Sequence, residues 1–198
     1  MSKTQQVLDY AREKGIITAK DIEKQGIHRE YIKRLEQQGL LIHSARGIYT
    51  FADAEITESH TLAETAKRVP SGVVCLLSAL SFYELTTQSP FEVWLAIPHK
   101  HRPPKDNLLP LRIVYMSGQS LEEGIEDHQI EGVNVRVYSL AKTVVDCFKF
   151  RNKIGLDVAL EALRECWRER RCSMDELWHY AKICRVHNVM RPYLESLP

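Results

Sequence analysis

Between Gly26 and Tyr49 the spacing of apolar positions changes from a helical to an extended period. Ile27, Tyr31, Ile32 and Leu35 recur at helical spacing between two glycines, Gly26 and Gly39, and so mark the inner side of a short helix. At about 100° per residue, Arg29, Glu30, Lys33, Arg34 and Gln37 face the other way. Residues 40–43 and 48–51 are short, apolar and partly β-branched, with Ser44, Ala45, Arg46 and Gly47 between them as a turn. Upstream, Val7, Leu8 and Ala11 stripe a first helix over 4–14 that Gly15 stops. The spacing Thr18-Ala19-Lys20-Asp21 is that of a capping box and starts a second helix ending near Gly26. Three short helices and a hairpin predict a winged helix-turn-helix, with 28–38 as recognition helix and Arg46 on the wing.

Beyond a linker-like stretch at 51–57 the pattern predicts a second domain. Leu62, Ala66 and Val69 stripe a helix that stops at Pro70-Ser71-Gly72. Residues 73–77 read as a buried strand, and Ser78 as the cap of a helix reaching Leu85. Residues 91–97 and 111–116 read as strands, separated by a Pro- and Lys-rich loop. Residues 129–139 read as a hairpin around Glu131-Gly132. Helices are predicted over 140–152, 157–170 and from Ser173 onward, where Ser173-Met174-Asp175-Glu176 is another capping box. The fold class is therefore α+β: an N-terminal winged helix-turn-helix (1–56), then a mixed α/β domain (57–198) with a small sheet and C-terminal helices.

Composition narrows the class only slightly. The 198 residues are 44% hydrophobic and 27% charged, ordinary for a globular protein. The net charge of +1 hides an asymmetry: residues 1–51 hold nine Lys and Arg against six Asp and Glu, whereas 52–198 hold eighteen against twenty. A basic N-terminus suits a nucleic-acid partner. Five cysteines with no C-x-x-C pair suit reduced thiols and a cytoplasmic location. No apolar run approaches the ~20 residues of a membrane span, and no signal peptide is recognisable.

Each candidate site has a plainer alternative. The 28–38 helix taken alone is a solvated amphipathic helix. With a wing attached, Arg29 and Lys33 become candidates for base edges or phosphates, Arg34 and Arg46 for phosphate, and Gln37 is a further DNA-binding candidate on the same face. Thr18 and Lys20, opening the second helix, are candidate backbone contacts. Lys100, Arg102 and Lys105, in a loop with His99 and His101, form a possible second basic patch or simply a solvated loop; the histidines lack a third metal ligand. Lys142 and Asp146 stand four apart on one helix, most plainly as a surface pair worth a few tenths of a kcal/mol. A nuclease strand at 91–95 would need a lysine two residues beyond Glu92, where Trp94 stands. No catalytic triad, phosphate-binding glycine loop, cofactor motif or metal-ligand set is recognisable, so no catalytic residue, cofactor or metal is expected.

The chain resembles the AbiEi-type antitoxins of type IV toxin–antitoxin systems, which are also described as transcriptional regulators of viral defence. The resemblance is carried by the winged helix ending Arg46-Gly47-Ile48-Tyr49, by Cys75-Leu76-Leu77-Ser78-Ala79-Leu80, and by Leu95-Ala96-Ile97-Pro98. It continues through Ala141-Lys142-Thr143-Val144-Val145-Asp146-Cys147-Phe148 and the helix from Gly155 to Leu163. It implies a repressor of its own operon that binds repeated sites in double-stranded promoter DNA. It further implies a nucleotidyltransferase-like toxin as functional partner, countered without a stable complex, and gives weight to Lys142 and Asp146. Two other readings stand beside it: a winged-helix-targeted enzyme (a nuclease or nucleotidyl-modifying activity), and a ligand-responsive regulator, which needs a concave pocket.

Overall fold

The computed structural model describes residues 2–45, 47–54, 57–86, 88, 90–104 and 110–197. Ser2 opens the first helix, α1 (Lys3–Lys14), by accepting a hydrogen bond from the Gln5 N–H. Gly15, at φ +66, ends it. A three-residue strand, β1 (Ile16–Thr18), follows. The hydrophobic pattern missed it because three residues are too few to show alternation. Thr18 then caps α2 (Ala19–Lys24) with the expected capping box: its hydroxyl accepts from the Asp21 N–H, and the Asp21 carboxylate accepts from the Thr18 N–H. After the turn at Gly26 comes α3 (Glu30–Gln37), then β2 (Leu41–Ala45) and β3 (Ile48–Phe51). β3 lies between β1 and β2, antiparallel to both. Val7, Leu8, Ala11, Ile17, Ile22, Ile27, Ile32, Leu35 and Leu41 form the core beneath these elements. A fully buried Ile32 or Leu35 contributes roughly 1.5–3 kcal/mol through removal from water. The helix α4 (His60–Arg68) completes this part of the chain.

The second sheet runs in the order β6-β5-β4-β8-β7. Its first strand, β4, is only Val73–Val74. The strand expected at 73–77 is cut short because Cys75 caps α5 (Leu76–Phe82). Ser78, expected to cap that helix, lies inside it instead; its hydroxyl accepts from the Trp94 N–H at 2.9 Å. Next come β5 (Val93–Pro98), β6 (Leu111–Met116), the one-turn α6 (Gln119–Glu122), β7 (Ile125–Ile130) and β8 (Val133–Tyr138). β5 is buried along nearly its whole length, as a continuous apolar strand covered on both faces must be. The helical region expected over 140–152 is two helices, α7 (Leu140–Lys149) and α8 (Arg151–Ile154). Then follow α9 (Leu156–Arg168), α10 (Met174–Ile183) with its capping box at Ser173, and α11 (His187–Leu194). Val144, Val145, Phe148, Ala159, Leu163, Leu177 and Met190 tie these helices into one core with the sheet. The architecture is α+β.

Two compact units emerge. One holds the residues up to Ser71 together with Asp127–Val135; the other holds most of the remainder from Gly72. The domain boundary expected at 56/57 falls beside residues 55 and 56, which lie outside the described residues. Within the first unit, Glu131 (φ +48) and Gly132 (φ +74) make the two-residue turn of the β7–β8 hairpin. Glu131 Oε1 accepts from both the N–H and the hydroxyl of Thr57 at 2.8 Å, and Oε2 lies 2.6 Å from His60 Nδ1. Burial pushes the Glu131 carboxyl up, but these bonds from His60 and Thr57 hold it below its ordinary value. Cys166 and Cys172 are joined as a disulfide, their Cα atoms 6.0 Å apart, because the chain turns back through Arg170 at φ +54. The expectation of reduced thiols is thereby corrected at Cys166 and Cys172; Cys75, Cys147 and Cys184 are buried and unbridged. Among the described residues no helix is long and apolar enough to cross a membrane.

Candidate nucleic-acid interface

The buried stripe of α3 orients its outer face. Ile32 and Leu35 are inside, so Arg29, Lys33, Arg34 and Gln37 are exposed. Arg29 is the N-cap, and the first turn is held instead by His28, whose Nδ1 accepts from the Glu30 N–H at 3.3 Å. Arg29 and Lys33 have no ion-pair partner among the described residues. Arg34 differs: it donates to Glu30 Oε1 at 2.6 Å and lies over the Tyr31 ring at 5.4 Å. Its guanidinium holds the Glu30 carboxyl below the usual range. Of the three cations expected on this face, two are uncommitted and one is shared with a carboxylate.

The wing carries a contact that hydrophobic patterning could not reveal. His43 Nε2 accepts from the Gly47 N–H at 3.2 Å, and its ring stacks on Tyr49 at 4.8 Å. The imidazole thus braces the turn from the β2 side, where the ladder with β3 slips register between His43 and Ala45. An accepting Nε2 requires the neutral ring protonated at Nδ1. Gly47 adopts φ +73, which a side chain there would resist. Arg46, expected at the wing tip, lies outside the described residues.

Lys20 is exposed in the first turn of α2, whereas the Thr18 hydroxyl is occupied by its cap. Lys67, from α4, donates to Asp21 Oδ2 at 3.0 Å. Burial raises the Asp21 carboxyl, but the bonds from Lys67 and Thr18 bring it below its ordinary value. A cleft of about 640 Å³ between α2, Gly47 and the end of α4 is lined by Lys20, Lys24, Lys67 and Arg68. Lys67 and Arg68 escaped the sequence reading because α4 meets α2 only in the folded unit.

In the second unit the pair Lys142–Asp146 is not on the surface. Both side chains are wholly buried, with Nζ 2.5 Å from Oδ2, because every residue from Leu140 to Phe148 is inside. The plain reading as a surface pair is thereby corrected: α7 is covered all round, not on one face. Of the second basic patch, Lys100 and Arg102 are exposed in the loop after β5, and Lys105 lies outside the described residues.

Residues 5–52 match the family model described as "Transcriptional regulator, AbiEi antitoxin". Over this stretch the chain is similar to AbiEi regulators. The AbiEi-like stretch ends one residue after β3, so it contains α3 and both wing strands and leaves α4 outside. In overall fold the chain is similar to the crystal structure of the RV2827C protein from Mycobacterium tuberculosis, with a TM-score of 0.61 at 15% identity. That alignment covers 91% of this chain and 71% of the other. No curated protein matches the sequence significantly.

Proposed function

We propose that this protein is a DNA-binding transcriptional autorepressor and the antitoxin of a type IV toxin–antitoxin system, working in the cytoplasm by binding and not by catalysis. The observation that carries the DNA reading is the outer face of α3. Two uncommitted cations, Arg29 and Lys33, stand on a helix of the length a major groove admits, followed at once by a braced wing. Gln37 and Arg34 extend that face, Arg46 serves the wing, and Thr18 and Lys20 serve the phosphate backbone. The match over 5–52 to AbiEi regulators supports the same reading.

The operator is the protein's own promoter, read at repeated sites. In this division of labour residues 1–56 repress, while 57–198 counter a nucleotidyltransferase-like toxin without a stable complex. Gel shifts with the promoter fragment against random duplex of equal length test the first half. If ~4 phosphates are neutralised, log K falls against log salt with a slope near −3.6. Equal affinity for both duplexes overturns the assignment. The second half is tested by expressing the toxin together with an Arg29→Ala/Lys33→Ala variant from an unrelated promoter. Rescue by a variant that no longer represses supports separable functions; failure of the folded, equally abundant variant to rescue defeats them.

A further inference from the structure

The second unit contains a cleft of about 610 Å³ that the winged helix does not use. Four segments distant in sequence converge there: the residue after β5, the stretch from the end of β6 into α6, the end of α7, and the end of α10 with the turn after it. They bring His99, Lys149, Lys182 and Arg185 to one concavity, and no carboxylate lines it among the described residues. Lys149 Nζ donates to Ser120 Oγ at 3.2 Å. Lys182 and Arg185 are exposed and have no side-chain ion pair or hydrogen bond among the described residues. Arg168 and Arg191, by contrast, are paired with Glu165 and Glu195. Cations gathered without counter-charge in a concave site raise a local positive potential that a polyanion relieves.

The same cleft has an aromatic wall. His99 stacks on Tyr115, ring centroids 5.4 Å apart and planes 20° from parallel, and Tyr115 remains 43% exposed. We propose that this cleft binds a free nucleotide, its phosphates held by Lys149, Lys182 and Arg185 and its base laid against the Tyr115–His99 pair. The volume falls within the roughly 300–1,000 Å³ of small-ligand sites. Arginine and lysine supply the charge-assisted donors that phosphate oxygens require, and a base stacks on an exposed ring whatever its identity.

Calorimetric titration of the full chain with ATP, adenosine, inorganic phosphate and a short unphosphorylated single-stranded oligonucleotide tests this. The expected result is saturable ATP binding, weaker binding of phosphate, and none of adenosine. Lys182→Ala and Arg185→Ala each weaken ATP about tenfold or more, the loss of one charge-assisted hydrogen bond. Both residues are exposed, so an unchanged thermal transition confirms that the variants are folded. The Arg29→Ala/Lys33→Ala variant retains ATP binding. No ATP binding at millimolar concentration, equal binding by the Lys182/Arg185 double variant, or loss of binding in the Arg29/Lys33 variant overturns the site. Tighter binding of the oligonucleotide through Lys182 and Arg185 overturns the free nucleotide as its ligand.

Discussion

Lys142 Nζ donates to Asp146 Oδ2 across one turn of α7 at 2.5 Å, and neither side chain reaches solvent. The ammonium also lies 4.1 Å from the centre of the Tyr138 ring. The other carboxylate oxygen, Oδ1, accepts from the Cys184 thiol at 3.3 Å. Burial, followed by the Asp146 charge, pushes that thiol up to about 11, so it stays protonated and able to donate. The pair is a closed polar network inside an apolar helix packing, where each side chain satisfies the other.

Removing one partner should therefore be far worse than removing both. Lys142→Met or Asp146→Leu alone leaves an uncompensated buried charge and is expected to cost about 3–5 kcal/mol, enough to unfold a marginal domain. The Lys142→Met/Asp146→Leu double variant should recover most of that loss. Denaturant unfolding of the three variants measures it; additive losses would show that the two charges do not compensate each other.

Arg34 is restrained by Glu30, so releasing it should strengthen DNA binding. Glu30→Gln removes the ion pair and one negative charge from the outer side of α3. Affinity for the promoter should rise and the salt dependence steepen by up to ~0.9 in log–log slope, one more phosphate neutralised. Fluorescence anisotropy over a salt series reads both. Stability should change little, because the pair is exposed.

The wing depends on an acceptor at position 43. His43→Phe keeps a ring to stack on Tyr49 but cannot accept from the Gly47 N–H. Faster amide exchange at Gly47 and weaker promoter binding are expected, with little change in global stability. His43→Gln, which retains a side-chain acceptor, should restore part of the protection. Protection at Gly47 unchanged in His43→Phe would remove the brace.

Acid should loosen the first unit through Asp21 and Glu131. Both carboxyls are held below their ordinary values in the folded state, Asp21 by bonds from Lys67 and Thr18 and Glu131 by bonds from His60 and Thr57, each against burial. A lowered folded value means that the unfolded chain takes up the proton first. Their contribution is thus fully present above the ordinary carboxylate range and is lost as pH falls through the lowered values, below about pH 4. Asp21→Asn should flatten this acid limb and lower stability at neutral pH. Thermal unfolding between pH 3 and 7 checks the sign, which a steeper acid limb would reverse.

Much of the first unit is local chemistry, and the sequence alone determined it. The Thr18–Asp21 capping box, the Gly26 and Gly39 stops, the buried stripe Ile27, Ile32 and Leu35 and the exposed cations opposite them follow from 3.6-residue periodicity and backbone conformational freedom. Neither needs information from elsewhere in the chain. The second capping box at Ser173 and the Glu131-Gly132 turn were legible for the same reason. Tertiary structure decided the rest. β1 became a strand only because β3 lay beside it, and Lys67 reached Asp21 from forty-six residues away. Lys142 and Asp146, four apart, look the same in sequence whether solvated or sealed in; burial of α7 on every side made them a core ion pair. His99, Lys149, Lys182 and Arg185 share one cleft although each sits in a different local pattern. Periodicity records which side of an element turns away from water. Which charges then meet depends on how those elements pack, where desolvation and Coulomb attraction act between residues that the chain holds far apart.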